Sequence, residues 1–139
     1  MLKTALLHPQ ILSTLGESGH GSTILIADGN YPFNTRANPA AERVYLNFMP
    51  GLLTAPDVLR GVLTAIPLEA AHVMRPDDGS EPGIWTDFRA LVDVELQPLG
   101  RFEFYDMARN PDCALVIATA EQRIYANILL TIGVVMPDA

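Results

Sequence analysis

The apolar positions of the chain fall into two patterns. Thr23–Ala27 reads Thr-Ile-Leu-Ile-Ala and residues 114–119 read Ala-Leu-Val-Ile-Ala-Thr. Both are apolar without alternation, as expected of strands covered on both faces. Leu7, Ile11, Leu12 and Leu15 instead recur at helical spacing and share one face of a helix over residues 8–18. Pro9 suits its first turn, where no backbone N–H is needed. Gly19 suits the left-handed position past its end. A second helix is predicted from Thr54, an N-cap with Asp57 three residues on, to about Ala65, and Pro67 stops it. Ile84, Trp85, Phe88, Leu91 and Val92 give helical spacing over 84–94, and a short helix is expected over 101–109. Residues 44–48, 68–74 and 125–135 read as further strands.

Residues 28–42 break the pattern as a long irregular loop, and loops of that length in a compact domain usually carry function. Residues 75–80 form an exposed turn. Helices alternate with fully apolar strands. The expectation is therefore an α/β, single-domain sandwich over residues 1–139, with a mixed, mostly parallel central sheet flanked by helices.

Composition narrows the function. The net charge of −7 argues against a nucleic-acid partner, which would require a basic face. The single cysteine, Cys113, lies in an apolar run and reads as a small buried hydrophobe. No run approaches the roughly 20 apolar residues that cross a bilayer. The N-terminal stretch has one lysine and no apolar core of a signal peptide, so a cytoplasmic protein without a membrane partner is expected. An apolar fraction of 49% with 18% charged residues exceeds what one small core needs, which points to a homo-oligomer.

The chemistry concentrates around the first buried strand. Gly19-His20-Gly21 precedes it and Ala27-Asp28-Gly29-Asn30-Tyr31-Pro32 follows. The imidazole of His20 can act as general acid or base, or cap the helix end. Asp28 can hold a hydroxyl, partner His20, or open the loop as an Asx turn. Tyr125 and Asn127 alternate along the predicted last strand and so share a face, suited either to a polyhydroxylated ligand or to solvent. Arg101 can donate to ligand oxygens or serve as a helix-terminal surface charge. Phe102, Phe104 and Tyr105 can stack on a sugar ring, with core packing the expectation for at least two of them. His8, His20 and His72 lack metal-ligand spacing, and neither a P-loop, Gly-X-Gly-X-X-Gly nor Gly-X-Ser-X-Gly is present.

In order and spacing, Gly19-His20-Gly21, 27–32, Arg101-Phe-Glu-Phe-Tyr105 and Tyr125-Ala-Asn127 with Gly133-Val134 resemble the ribose pyranase and fucose mutarotase family of sugar-anomer isomerases. The opening Met1-Leu-Lys-Thr4 is similar as well, while the stretch from Phe33 to Gly83 matches only loosely. The resemblance implies an α/β fold, a ring-shaped oligomer that is often a decamer, and no metal or organic cofactor. It implies His20 as proton donor, with Asp28, Arg101, Tyr125 and Asn127 binding a monosaccharide. The arginine before Phe-X-Phe-Tyr looks like the fucose branch, where the ribose branch carries a histidine nearby. Met107 departs from the arginine that fucose mutarotases tend to have there. The implied reaction is interconversion of the anomers of L-fucose or a related sugar, with D-ribose pyranase activity or sugar binding without turnover as alternatives. An extended Thr23–Ala27 spans roughly 16 Å, so His20 and Asp28 are expected at opposite ends of one strand. Either the glycine-flanked segment folds back, the two serve different parts of a site, or the site is shared between subunits.

Overall fold

The computed structural model describes residues 1–138. Six strands form one sheet: β1 Thr23–Ala27, β2 Glu42–Tyr45, β3 Leu68–Arg75, β4 Leu96–Gly100, β5 Cys113–Ala118 and β6 Ile128–Ile132. Their spatial order is β2-β5-β1-β6-β3-β4. The β2–β5, β5–β1 and β3–β4 pairs are parallel, and β6 runs antiparallel to both its neighbours, β1 and β3. This is the mixed, mostly parallel sheet expected.

Four helices flank it: α1 Pro9–Glu17, α2 Ala55–Leu63, α3 Ile84–Leu91 and α4 Arg101–Ala108. Alternation along β1 divides the core. Ile24 and Ile26 pack in the layer of α1, α2 and α3, with Ile11, Leu59, Trp85 and Phe88. Leu25 and Ala27 face α4 and the long loop, with Tyr31, Ala37, Phe104 and Val116. Every residue of β1 is buried, and each Ile or Leu there contributes about 1.5–3 kcal/mol by leaving water.

The helix starts follow the sequence signals. Thr54 Oγ1 accepts the Asp57 N–H while the Asp57 carboxylate accepts the Thr54 N–H, a reciprocal capping box. His8, with no role assigned from sequence, caps α1 by accepting the Ile11 N–H at Nδ1.

Four expectations need correction. The left-handed glycine near α1 is Gly21, φ +87°, not Gly19; α1 closes at Ser18, whose N–H bonds Leu15 O. The predicted strand at 44–48 is Glu42–Tyr45, because residues past Tyr45 turn away into a short loop. The Leu-Gln-Pro-Leu-Gly stretch, assigned no element, is β4, an edge strand where Pro98 is tolerated because one side needs no donors. Finally, Tyr125 and Asn127 precede β6 instead of alternating along it, and Tyr125 has φ +56°.

The 28–41 loop is irregular as expected and is held by polar contacts. The Arg43 guanidinium donates to Phe33 O, Asn38 O and Ala41 O, each at 3.1 Å. Tyr31 Oη donates to Arg36 O at 2.6 Å, and Asn38 Nδ2 donates to Cys113 O at 2.9 Å.

Candidate functional site

The first turn after β1 sets the geometry. Asp28 is 3% exposed. Its Oδ1 accepts the Asn30 N–H at 3.0 Å and its Oδ2 accepts the Ala126 N–H at 3.1 Å. Its own N–H donates to Asn127 Oδ1 at 2.7 Å. The end of β1 and the segment before β6 are thereby clamped from both sides. The Asx turn and the interaction with a remote element coexist in one carboxylate. Gly29 fits closely here, since a Cβ would lie a tight 3.2 Å from Glu121 O, the acceptor of its own N–H. Burial raises the Asp28 carboxyl above the usual carboxylate range, and the N–H groups of Asn30, Ala126 and Tyr31 and the Asn127 side chain only partly offset it.

Asp28 and Asn127 open onto a cavity of about 280 Å³ whose wall includes Arg101, Tyr105 and Tyr125. Arg101 is the first residue of α4, and its side chain has no hydrogen bond or ion pair among the described residues. Its guanidinium rests 4.6 Å from the centre of the Phe102 ring. Asn30, Tyr31, Met74 and Ile124 complete the wall. Burial pushes the Tyr31 phenol far above its ordinary value, so it stays protonated. Of the three aromatics of α4, Phe104 is fully buried in the core, Tyr105 lines the cavity, and Phe102 is 60% exposed beside Arg101.

Asp28, Arg101, Tyr125 and Asn127 therefore meet in one cavity, and His20 does not. His20 sits beyond the other end of β1 and is half-exposed, with Nε2 2.8 Å from Glu69 Oε1. The glycine-flanked segment does not fold back along the strand: Gly21 N–H bonds Ile132 O at the far end of β6. Glu69, Met74 and Ile124 were assigned no role from sequence, because none lies in a recognisable motif; Tyr31 stood inside one, but its contact with the cavity depends on the loop. Among the described residues, no three His, Cys, Asp or Glu side chains converge as an ion site. Larger concavities, about 470 Å³ beside α1 and about 720 Å³ beside the 76–84 turn, lack this convergence of buried carboxylate, amide and unpaired guanidinium. The convergent polar groups mark the smaller cavity as the candidate small-molecule site.

A family model described as the RbsD / FucU transport protein family matches residues 1–135. The chain belongs to that family. It is 33% identical to a D-ribose pyranase of Paracidovorax citrulli, over 96% of this chain and 98% of the relative. It is 32% identical to a fucose mutarotase of Bos taurus, over 96% of this chain and 92% of the relative. Among solved structures of the RbsD / FucU fold, the fucose mutarotase of Streptococcus pneumoniae in complex with L-fucose superposes with a TM-score of 0.80 at 30% identity, covering 93% of this chain and 94% of that one.

Proposed function

We propose that this protein is a monosaccharide mutarotase that interconverts the α and β anomers of L-fucose or a related sugar. The observation that carries the reading is the cavity itself. A buried carboxylate, an amide, an unpaired guanidinium and a phenol converge on a space suited to one sugar ring. Relatives of near-full-length coverage carry the same activity in their names.

The chemistry needs an acid, a base and a held ring. An acid gives its proton to the ring oxygen as the bond from that oxygen to C1 breaks. A base takes the anomeric hydroxyl proton, and C1 becomes an aldehyde. Rotation about C1–C2 presents the other face, the ring oxygen attacks C1, and both protons return. His20 is the acid in this scheme. Asp28, Arg101, Tyr125 and Asn127 hold the sugar hydroxyls. Because His20 lies outside the cavity of its own chain, it reaches a cavity by belonging to a neighbouring copy in a homo-oligomer, a decamer on the family resemblance.

D-ribose pyranase activity is the second reading, favoured by the 33% identity to a ribose pyranase. Saturation-transfer NMR of anomeric protons separates the two. Exchange on L-fucose above the uncatalysed rate, exceeding that on D-ribose, is expected. Faster pyranose–furanose exchange on ribose assigns the second reading, and no exchange on either sugar, or on galactose, removes both.

A further inference from the structure

We infer that Glu69 is a positioning residue for His20, holding its Nε2–H so that Nδ1 is the nitrogen that exchanges a proton with the sugar. The inference rests on the mutarotase reading and extends it to a residue outside the cavity.

The sheet itself aims this carboxylate. In the β3–β6 pairing, Leu68 lies opposite Ile132 and Ala70 opposite Thr131. Glu69 is thus an extra residue inserted between two consecutive partners, a bulge, and bulges re-aim a side chain out of the regular alternation. Glu69 Oε1 lies 2.8 Å from His20 Nε2. Both anchors of this contact are fixed. On the Glu69 side, Gly133 passes so close that a Cβ there would touch Glu69 Cβ and N at 3.4 Å, while Gly133 N–H bonds Pro67 O at 2.8 Å. On the His20 side, Gly21 N–H bonds Ile132 O at 3.0 Å and Ile132 N–H bonds Ser22 O at 2.9 Å. Gly21, with φ +87°, and Gly133 therefore bring the His20 and Glu69 segments together at one end of β6.

The consequence follows from imidazole chemistry. A carboxylate can only accept, so Nε2 carries its hydrogen in both the neutral and the cationic ring. Proton transfer then runs through Nδ1, and His20 makes no other hydrogen bond among the described residues. The ring is half-exposed, so nothing else in the protomer fixes its rotation.

The test compares Glu69→Ala with Glu69→Gln, whose amide oxygen still accepts from Nε2–H. The measurements are anomer exchange of L-fucose, resolved into kcat and KM, and the ¹⁵N-coupled His20 Nε2–H resonance in sugar-free protein. Glu69→Ala is expected to lower kcat roughly tenfold, the scale of a lost hydrogen bond to a charged group, with KM nearly unchanged. It should also lose the protected Nε2–H resonance. Glu69→Gln should keep the resonance and most of kcat. Wild-type kcat in Glu69→Ala overturns the inference. So does an equal loss in both variants, in kcat or in KM, since that marks a need for charge or a direct sugar contact. A wild-type protein inactive on every sugar instead overturns the mutarotase reading, and the catalytic role with it, while the resonance still reports whether the pair forms.

Discussion

At the residue scale, Asp28 carries opposing demands. Hydrogen bonds from the Asn30, Ala126 and Tyr31 N–H groups and from the Asn127 side chain reward its ionised form and burial penalises it, and burial dominates, raising its carboxyl above 3.8. A raised folded value means that the folded state holds the proton more tightly. The stability linked to that proton is complete below the unfolded value and is lost as pH rises through the folded one. The expected outcome is that the stability of wild-type protein relative to Asp28→Asn falls as pH rises from below 3.8 through the carboxylate range, read by thermal unfolding of both proteins at matched ionic strength. A difference that grows with pH would show that the N–H groups win. Much of this residue-level picture was legible: Asp-Gly-Asn after a buried strand predicts an Asx turn, and the Asn30 N–H bond is that turn. The bond from Ala126, 98 positions away, was not legible, because no local rule reports which remote strand end closes on the turn.

At the element scale, the sequence predicts best where one local rule governs. β1 and β5 stand out as unbroken apolar runs because both their faces are covered. The start of α2 stands out because a capping box needs only Thr54 and Asp57. β4 was missed because an exposed edge strand has no apolar pattern to display and carries a proline. The start of β6 was placed too early because Tyr125-Ala-Asn127 has strand-like composition, whereas the Asp28 clamp holds it as a turn. The cap allows a direct prediction. Thr54→Ala should cost about 1 kcal/mol, visible in urea unfolding as a lower midpoint at unchanged slope. The Thr54 hydroxyl, before the neighbouring Arg60, also holds the Asp57 carboxyl below its ordinary value. Its contribution is present above that ordinary value and fades as pH falls through the lowered one. The Thr54→Ala deficit should therefore shrink in acid; a deficit independent of pH would confine the cap to its hydroxyl.

At the scale of the whole molecule, the fold places the polar cavity at one end of β1 and His20 at the other. Sequence reasoning gave the separation, since an extended five-residue strand is rigid and roughly 16 Å long. It left open whether the segment folds back, and the Gly21–Ile132 bond excludes that within the protomer. The surface adds a second argument. Phe48 is 84% exposed, Ile124 65% and Val135 78%, apolar side chains that a contact between copies would cover. A heterologous contact repeated around a closed ring would cover such surface and carry each His20 toward the next cavity. The decisive experiment mixes two inactive proteins. His20→Ala removes the proposed acid and Asn127→Ala the clamp on Asp28, so each alone should show no exchange above background. Co-refolded together into the proposed ring, the two chains would form some sites with an intact His20 from one copy and an intact Asn127 from its neighbour. Those sites should restore part of the anomer exchange, in proportion to their statistical share, with the mixed rings isolated by two different affinity tags. Mixed rings that form without any recovery, or a monomer by sedimentation at working concentration, would rule the shared site out.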